Sequence, residues 1–233
     1  MNARSVAAAV ASDPGGLRSD VKDQALVERR RAQLVDASIR LFARHGYHPT
    51  SVRDIARAVG VSVGSVYTYF PSKEDILEFA CGQMAAEFAV RFDHFLTKTG
   101  QDQGQDDSAL VRLRQAFGML VEMVEAQSDL HLVVYRESSA LAPRARRRIT
   151  DFELLIREIF AALLQEGIAR GEVRPHDVAL RAQTAVFLAH MWALKRWWLG
   201  AYTSLEHYAD EQFHLLVGDI APTTSDREEV AKP

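Results

Sequence analysis

Apolar residues recur along this chain at intervals of three and four, and no stretch alternates convincingly at intervals of two, so the pattern predicts helices and no strand. Leu34, Ala37, Ser38, Leu41 and Phe42 share one face of a helix over residues 27–45, which Gly46 stops. Leu77, Cys81, Met84, Phe88, Phe92 and Phe95 continue one face from Ser72 to about residue 97. Further along, Leu110, Leu113, Phe117, Leu120 and Val124 mark a helix, and residues 130–141 a shorter one that ends before Pro143. Ile149, Phe152, Ile156, Ile159 and Leu163 define a long helix over 144–170, closed by Gly171 and Pro175, and two more helices follow over 176–199 and 204–218. With two short helices between residues 50 and 71, the expectation is an all-α fold of about nine helices. Its expected parts are an arm (1–24), a helix-turn-helix head (25–71), a larger helical body (72–220) and a tail (221–233). The Gly-, Gln- and Asp-rich stretch 98–108 reads as a loop.

The most informative stretch is residues 50–73. Ser51, Ser62 and Ser72 each precede a run with helical spacing, where a side-chain oxygen can accept an otherwise unpaired backbone N–H. Asp54 and Asp75 stand three residues after two of them, as in a capping box. Ile55, Ala56, Val59, Val61, Val66 and Phe70 supply a small core, and Gly60 can take the left-handed conformation of a tight turn. Val63, Gly64, Ser65, Tyr67, Thr68 and Tyr69 are left to face outward. Such small, hydroxylic and aromatic groups suit a major groove, where they meet thymine methyls, base edges and phosphates.

This segment resembles the DNA-binding domain of the TetR family of bacterial transcriptional repressors, with Tyr67, Phe70 and the pair Ser72 and Lys73 among the matching residues. The resemblance is close over residues 28–80 and general elsewhere. It implies a double-stranded operator as partner and no catalytic activity. Carried onto this chain, it assigns DNA contact to Ser51, Arg53, Val63, Gly64, Ser65, Tyr67, Thr68, Tyr69 and Lys73. Arg53 is the candidate for a bidentate base contact, Tyr67 and Lys73 for phosphates, and Arg29, Arg30 and Arg31 for the nearby backbone. Gly64 departs from the bulkier residues the family places there.

Charge changes this picture in one respect. The 28 Lys and Arg against 31 Asp and Glu give a net −3, but residues 22–73 hold nine against four (+5), leaving 19 against 27 (−8) for the rest. A basic head on an acidic body suits a protein that presents one end to nucleic acid. One cysteine, Cys81, excludes an internal disulfide and is expected as a buried apolar residue. No apolar stretch approaches a membrane span, so the expectation is a cytoplasmic protein without a membrane partner. No histidine set completes a metal site, and no hydrolase elbow, phosphate-binding glycine loop or carboxylate pair is present, so neither metal nor cofactor is expected.

The body's chemistry is read from its apolar and cationic residues. Phe88, Phe117, Met123, Tyr135, Phe187 and Trp192 can line an apolar pocket. Arg144, Arg146, Arg147 and Arg148 open a helix whose N-terminal dipole disfavours them, which anionic phosphates would offset, with Arg147 the candidate for that contact. The segment HLVVYRESSAL, with Tyr135, Arg136 and Glu137, and the run Lys195-Arg196-Trp197-Trp198 resemble the C-terminal domains of TetR-type regulators that respond to acyl-coenzyme A thioesters. That resemblance implies an acyl-CoA effector. The alternative is a lipophilic cation held by Glu87, Glu122 or Glu125 among aromatics; an all-helical enzyme is the remaining class. Ala182, Ala185, Ala189 and Ala193 form a ridge of small residues, so Ala185, Ala189 and Trp192, with Tyr208, Phe213 and Leu216 on the last helix, are the expected homodimer interface.

Overall fold

The computed structural model describes residues 24–99, 108–138, 141 and 143–221. The expected arm (through residue 23), most of the loop (100–107) and most of the tail (from 222) lie outside the described residues. Within them the chain forms helices and no strand: α1 (Gln24–His45), α2 (Val52–Val59), α3 (Val63–Tyr69), α4 (Lys73–Thr99), α5 (Ala109–Ala126), α6 (Ser128–Glu137), α7 (Pro143–Ala169), α8 (Val178–Leu199) and α9 (Leu205–Val217). No helix among them is long and apolar enough to cross a membrane.

The described residues divide into two compact units, and the division departs from the chain-order split expected at residue 71. One unit holds residues 24–89 and 127–152, so α6 and the first turns of α7 belong with the DNA head. Its core is Val27, Leu34, Phe42, Ile55, Ala56, Val66, Phe70, Ile76 and Leu77, all nearly inaccessible to solvent. Each of the large apolar side chains contributes about 1.5–3 kcal/mol by burial. α1 packs on α2, α3 and α6, which makes it the spine of this unit.

The other unit holds residues 90–126 and 153–221. Here α5, α8 and α9 pack on one another, with Leu113, Phe117, Leu120 and Val124 of α5 buried and the Phe117 and Phe213 rings 6.2 Å apart. The alanine ridge of α8 lies in this core, because small side chains let α5 and α9 approach the helix closely. Arg181 ties the end of α9 to α8, donating to both carboxylate oxygens of Asp219 at 2.7 and 2.8 Å and to the Leu216 carbonyl. Glu172 accepts from the Ser108 hydroxyl at 2.7 Å and the Leu110 N–H at 2.9 Å, which caps the start of α5.

Candidate nucleic-acid interface

The DNA-facing surface is built by its helix caps. Ser51 in extended conformation accepts the Asp54 N–H at 3.3 Å, and the Asp54 carboxylate accepts the Ser51 N–H at 3.0 Å, a complete capping box. The Ser51 hydroxyl and N–H both donate to the Asp54 carboxylate and, with Arg57 close by, hold its carboxyl below its ordinary range. Gly60 ends α2 at φ 75°, and its N–H returns to the Ala56 and Arg57 carbonyls. Two residues later the Ser62 hydroxyl accepts the Ser65 N–H at 3.1 Å and starts α3. The turn between the helices is thus fixed by local chemistry, and Val66 and Phe70 anchor α3 inward.

With those two residues buried, the rest of α3 is a face. Tyr67 is 51% exposed, Gly64 and Thr68 are exposed, and Val63, Ser65 and Tyr69 are half-buried. The Thr68 hydroxyl donates to the Gly64 carbonyl, so its methyl is the group left to present. A methyl added at Gly64 would lie 3.9 Å from the Ser62 hydroxyl, so the glycine is not required by its neighbours. Ser51 and Arg53 are exposed at the start of α2. The structure therefore brings the α2 and α3 candidates onto the surface of one unit.

Lys73 is placed differently from the sequence expectation. Its ammonium donates to the Tyr47 carbonyl at 2.8 Å, the Thr50 carbonyl at 3.0 Å and the His48 carbonyl at 3.1 Å, and lies 4.5 Å from the centre of the Tyr47 ring. A lysine has three N–H donors, and all are used within the chain, leaving none for a phosphate. Lys73 instead clamps the turn between α1 and α2 onto the start of α4, where three carbonyl dipoles offset the cost of a cation at a helix N-terminus. Tyr47, which the sequence did not single out, completes the clamp: it is buried, packs edge-on against Phe42 and donates its hydroxyl to Glu74 at 2.9 Å. Burial and that bond to Glu74 push the phenol far above its ordinary range. Burial alone would raise Glu74, but hydrogen bonds from its own N–H, Tyr47 and Ser72 hold its carboxyl low.

The effector candidates are divided between the units. In the first, Phe88 is buried edge-on against Phe152 at 5.0 Å, Tyr135 is half-buried on α6, and Arg147 is exposed near the start of α7. In the second, Phe117 and Met123 are buried. Trp192 is buried against Tyr208 at 5.0 Å, and its indole N–H donates to Glu125 at 2.6 Å. Phe187 does not join them: it is 56% exposed on the opposite face of α8, because a helix that buries 182, 185, 186, 189, 192 and 193 turns position 187 outward.

The same geometry corrects the expected dimer surface. Ala185, Ala189, Trp192, Tyr208, Phe213 and Leu216 are all buried within the chain, where Ala185 and Ala189 are 0% exposed. The small-residue periodicity predicts a close-packing face for a second copy, whereas α5 and α9 of the same chain occupy it. The face left open on α8 is the opposite one, where Leu180, Phe187, Met191 and Trp198 are exposed. Those positions lie 7, 11 and 18 residues after the first, which at 100° per residue aligns them in one stripe. That spacing is present in the sequence, where the alanines make the stronger pattern.

Comparison with known proteins agrees with this architecture. The family description "Bacterial regulatory proteins, tetR family" matches residues 34–80, and "Tetracyclin repressor-like, C-terminal domain" matches residues 106–200. The HTH-type transcriptional regulator HbdR of Aromatoleum sp. (strain CIB) is 32% identical over 206 residues, 88% of this chain and 87% of that protein. A fatty acid metabolism regulator protein of Bacillus subtilis (strain 168) is 28% identical over 152 residues, 65% of this chain and 75% of that protein. Among solved structures, the ketosteroid transcriptional regulator KstR2 of Mycobacterium tuberculosis superposes with a TM-score of 0.70 at 24% identity, covering 89% of this chain and all of that one. FadR from Bacillus subtilis, in complex with stearoyl-CoA, does so at 0.61 and 23% identity, covering 80% of this chain and 97% of the other. With a helix-turn-helix head of this geometry and both halves of the family matched, the chain belongs to the TetR family of bacterial transcriptional regulators.

Proposed function

We propose that this chain is a homodimeric repressor that leaves its operator when an acyl-coenzyme A thioester binds. The observation that carries the reading is α3, a helix whose outward face is almost free of charge and rich in small, hydroxylic and aromatic groups, inside a head with an excess of basic residues. Ser51, Arg53, Val63, Gly64, Ser65, Tyr67, Thr68 and Tyr69 read the operator, Arg53 as the base contact. Arg53→Ala costs about 1–3 kcal/mol of specific binding, measured by fluorescence anisotropy on the operator and on an unrelated duplex. Equal loss on both duplexes would make Arg53 a phosphate contact.

The effector class rests on two lines of support. FadR, which shares the fold, holds stearoyl-CoA, and a relative at 28% identity is a fatty acid metabolism regulator. Within the first unit this chain supplies chemistry such a ligand needs: Phe88 and Tyr135 for an acyl chain, and Arg147 for phosphates. The lipophilic-cation alternative finds less support, because Glu125 already accepts from Trp192 and pairs with Arg196 at 3.0 Å, and Glu87 accepts from Gln127 at 2.9 Å. Two copies associate through the stripe Leu180, Phe187, Met191 and Trp198. Two heads then meet successive major grooves about 34–36 Å apart, and an effector that disfavours this spacing by about 1–3 kcal/mol lowers operator affinity several-fold to a hundredfold. The test is operator binding by DNA from the protein's own upstream region, with and without butyryl-, octanoyl- and stearoyl-CoA. Release by a thioester supports the reading; binding unaffected by all three removes the effector class.

A further inference from the structure

Helix α3 reads VGSVYTY and holds no charged or amide side chain. At 100° per residue, Val63, Gly64, Tyr67 and Thr68 fall within about 140° of its circumference, turned away from the buried Val66. Gly64, Tyr67 and Thr68 are exposed and Val63 is half-buried. The side chains that read a base edge by paired hydrogen bonds are those of Arg, Lys, Asn and Gln. None of the four residues is of these types, so this face cannot discriminate bases in that way.

What the face offers instead is methyl groups. The Thr68 hydroxyl donates to the Gly64 carbonyl at 3.2 Å, which spends its only proton within the helix and leaves its methyl to a partner. Val63 adds the two methyls of its isopropyl group. Gly64, between them on this face, is not in the left-handed region, and an added Cβ would meet nothing nearer than the Ser62 hydroxyl at 3.9 Å. A glycine inside a helix costs stability relative to alanine, and here neither a turn nor a neighbour requires it. Its bare backbone lets a surface opposite come closer than any side chain would. Thymine is the base that carries a methyl into the major groove, and apolar contact is how it is read.

We propose that Val63 and Thr68 are specificity-determining residues that read thymine through its C5-methyl group, across a gap that Gly64 keeps clear, so that the operator turns A·T pairs toward α3. The inference rests on the operator-binding reading given above and names the base chemistry of that site. Arg53 on α2 acts separately, as the polar base contact. The basic excess of the head supplies attraction to any duplex, so the methyl contacts set discrimination between sequences.

The test starts from duplexes that the full chain selects out of a random pool. Each thymine of a selected operator is replaced in turn by uracil, which pairs as thymine does and lacks only the methyl, and affinity is measured by anisotropy. At the thymines facing α3, uracil weakens binding about fourfold, the effect of one buried methyl. Val63→Ala or Thr68→Ser brings the penalty at its own thymine toward onefold, whereas Arg53→Ala weakens the thymine and uracil duplexes alike. Gly64→Leu, which fills the gap, weakens the thymine duplex and removes the uracil penalty. Cytosine at the same thymine binds less tightly than 5-methylcytosine, which restores the methyl alone. Uracil without effect at every position overturns the inference while the operator reading stands. A penalty that persists in full in Val63→Ala and Thr68→Ser belongs to the shape of the DNA and overturns it as well. A pool that yields no enriched duplex overturns the operator reading and the inference together.

Discussion

Lys73 illustrates how one residue's role depends on where its donors go. As a cation at the start of a helix in a DNA-binding head, it invites assignment to a phosphate, yet its ammonium is saturated by three carbonyls. Lys73→Met, which keeps the stem and removes the donors, leaves those carbonyls without their partner and costs about 1–3 kcal/mol of stability, measurable by urea unfolding. Its effect on the salt dependence of operator binding is the sharper readout. A phosphate contact would lower the slope by about one, whereas a clamp leaves the slope unchanged. His131 on α6 is a second case. Burial holds its imidazole below the ordinary 6.5, against the opposing pull of its contact with the Gln127 carbonyl. The folded state therefore binds the proton less readily than the unfolded chain, so the stability tied to this group is present above pH 6.5 and is lost as pH falls below it. Thermal melts across that range show a steeper acid decline in the unchanged protein than in His131→Gln, which has no imidazole to charge.

At the scale of elements, the caps were legible because they are local. Ser51 with Asp54, Ser62, and Gly60 at φ 75° specify a helix, a turn and a second helix within a dozen residues, and the structure follows them closely. Gly60→Ala has open space for its methyl but must hold a positive φ, so it costs about 1–2 kcal/mol of stability and loosens the angle between α2 and α3. Unfolding and operator titrations on the same variant record both effects. The long-range arrangement was less legible. Periodicity divides α8 into a small-residue face and an aromatic face but does not say which one the chain itself covers; that depends on α5 and α9, which lie elsewhere in the sequence. Tyr47 is not legible for the same reason, since its partner Glu74 is 27 residues away.

For the whole molecule, the exposed face of α8 bears on assembly. Leu180, Phe187, Met191 and Trp198 form an apolar stripe about 27 Å long at 1.5 Å per residue, with Leu215 of α9 also exposed. A contiguous apolar surface on an otherwise well-packed chain marks an interaction site, and two copies of one stripe can satisfy each other about a twofold axis. Phe187→Glu with Met191→Glu places two carboxylates at its centre and leaves the inner face of the helix untouched, so the expected product is a folded monomer in sedimentation velocity. Its operator affinity falls steeply, because a single head meets only one half-site. Trp197→Glu serves as the control: that ring is 78% exposed but lies about 100° off the stripe, so the variant remains dimeric. Ala185→Glu separates the two faces from the other side, since a carboxylate forced into the α5 and α8 core disrupts the fold itself. A dimer that survives Phe187→Glu with Met191→Glu would move the interface off α8.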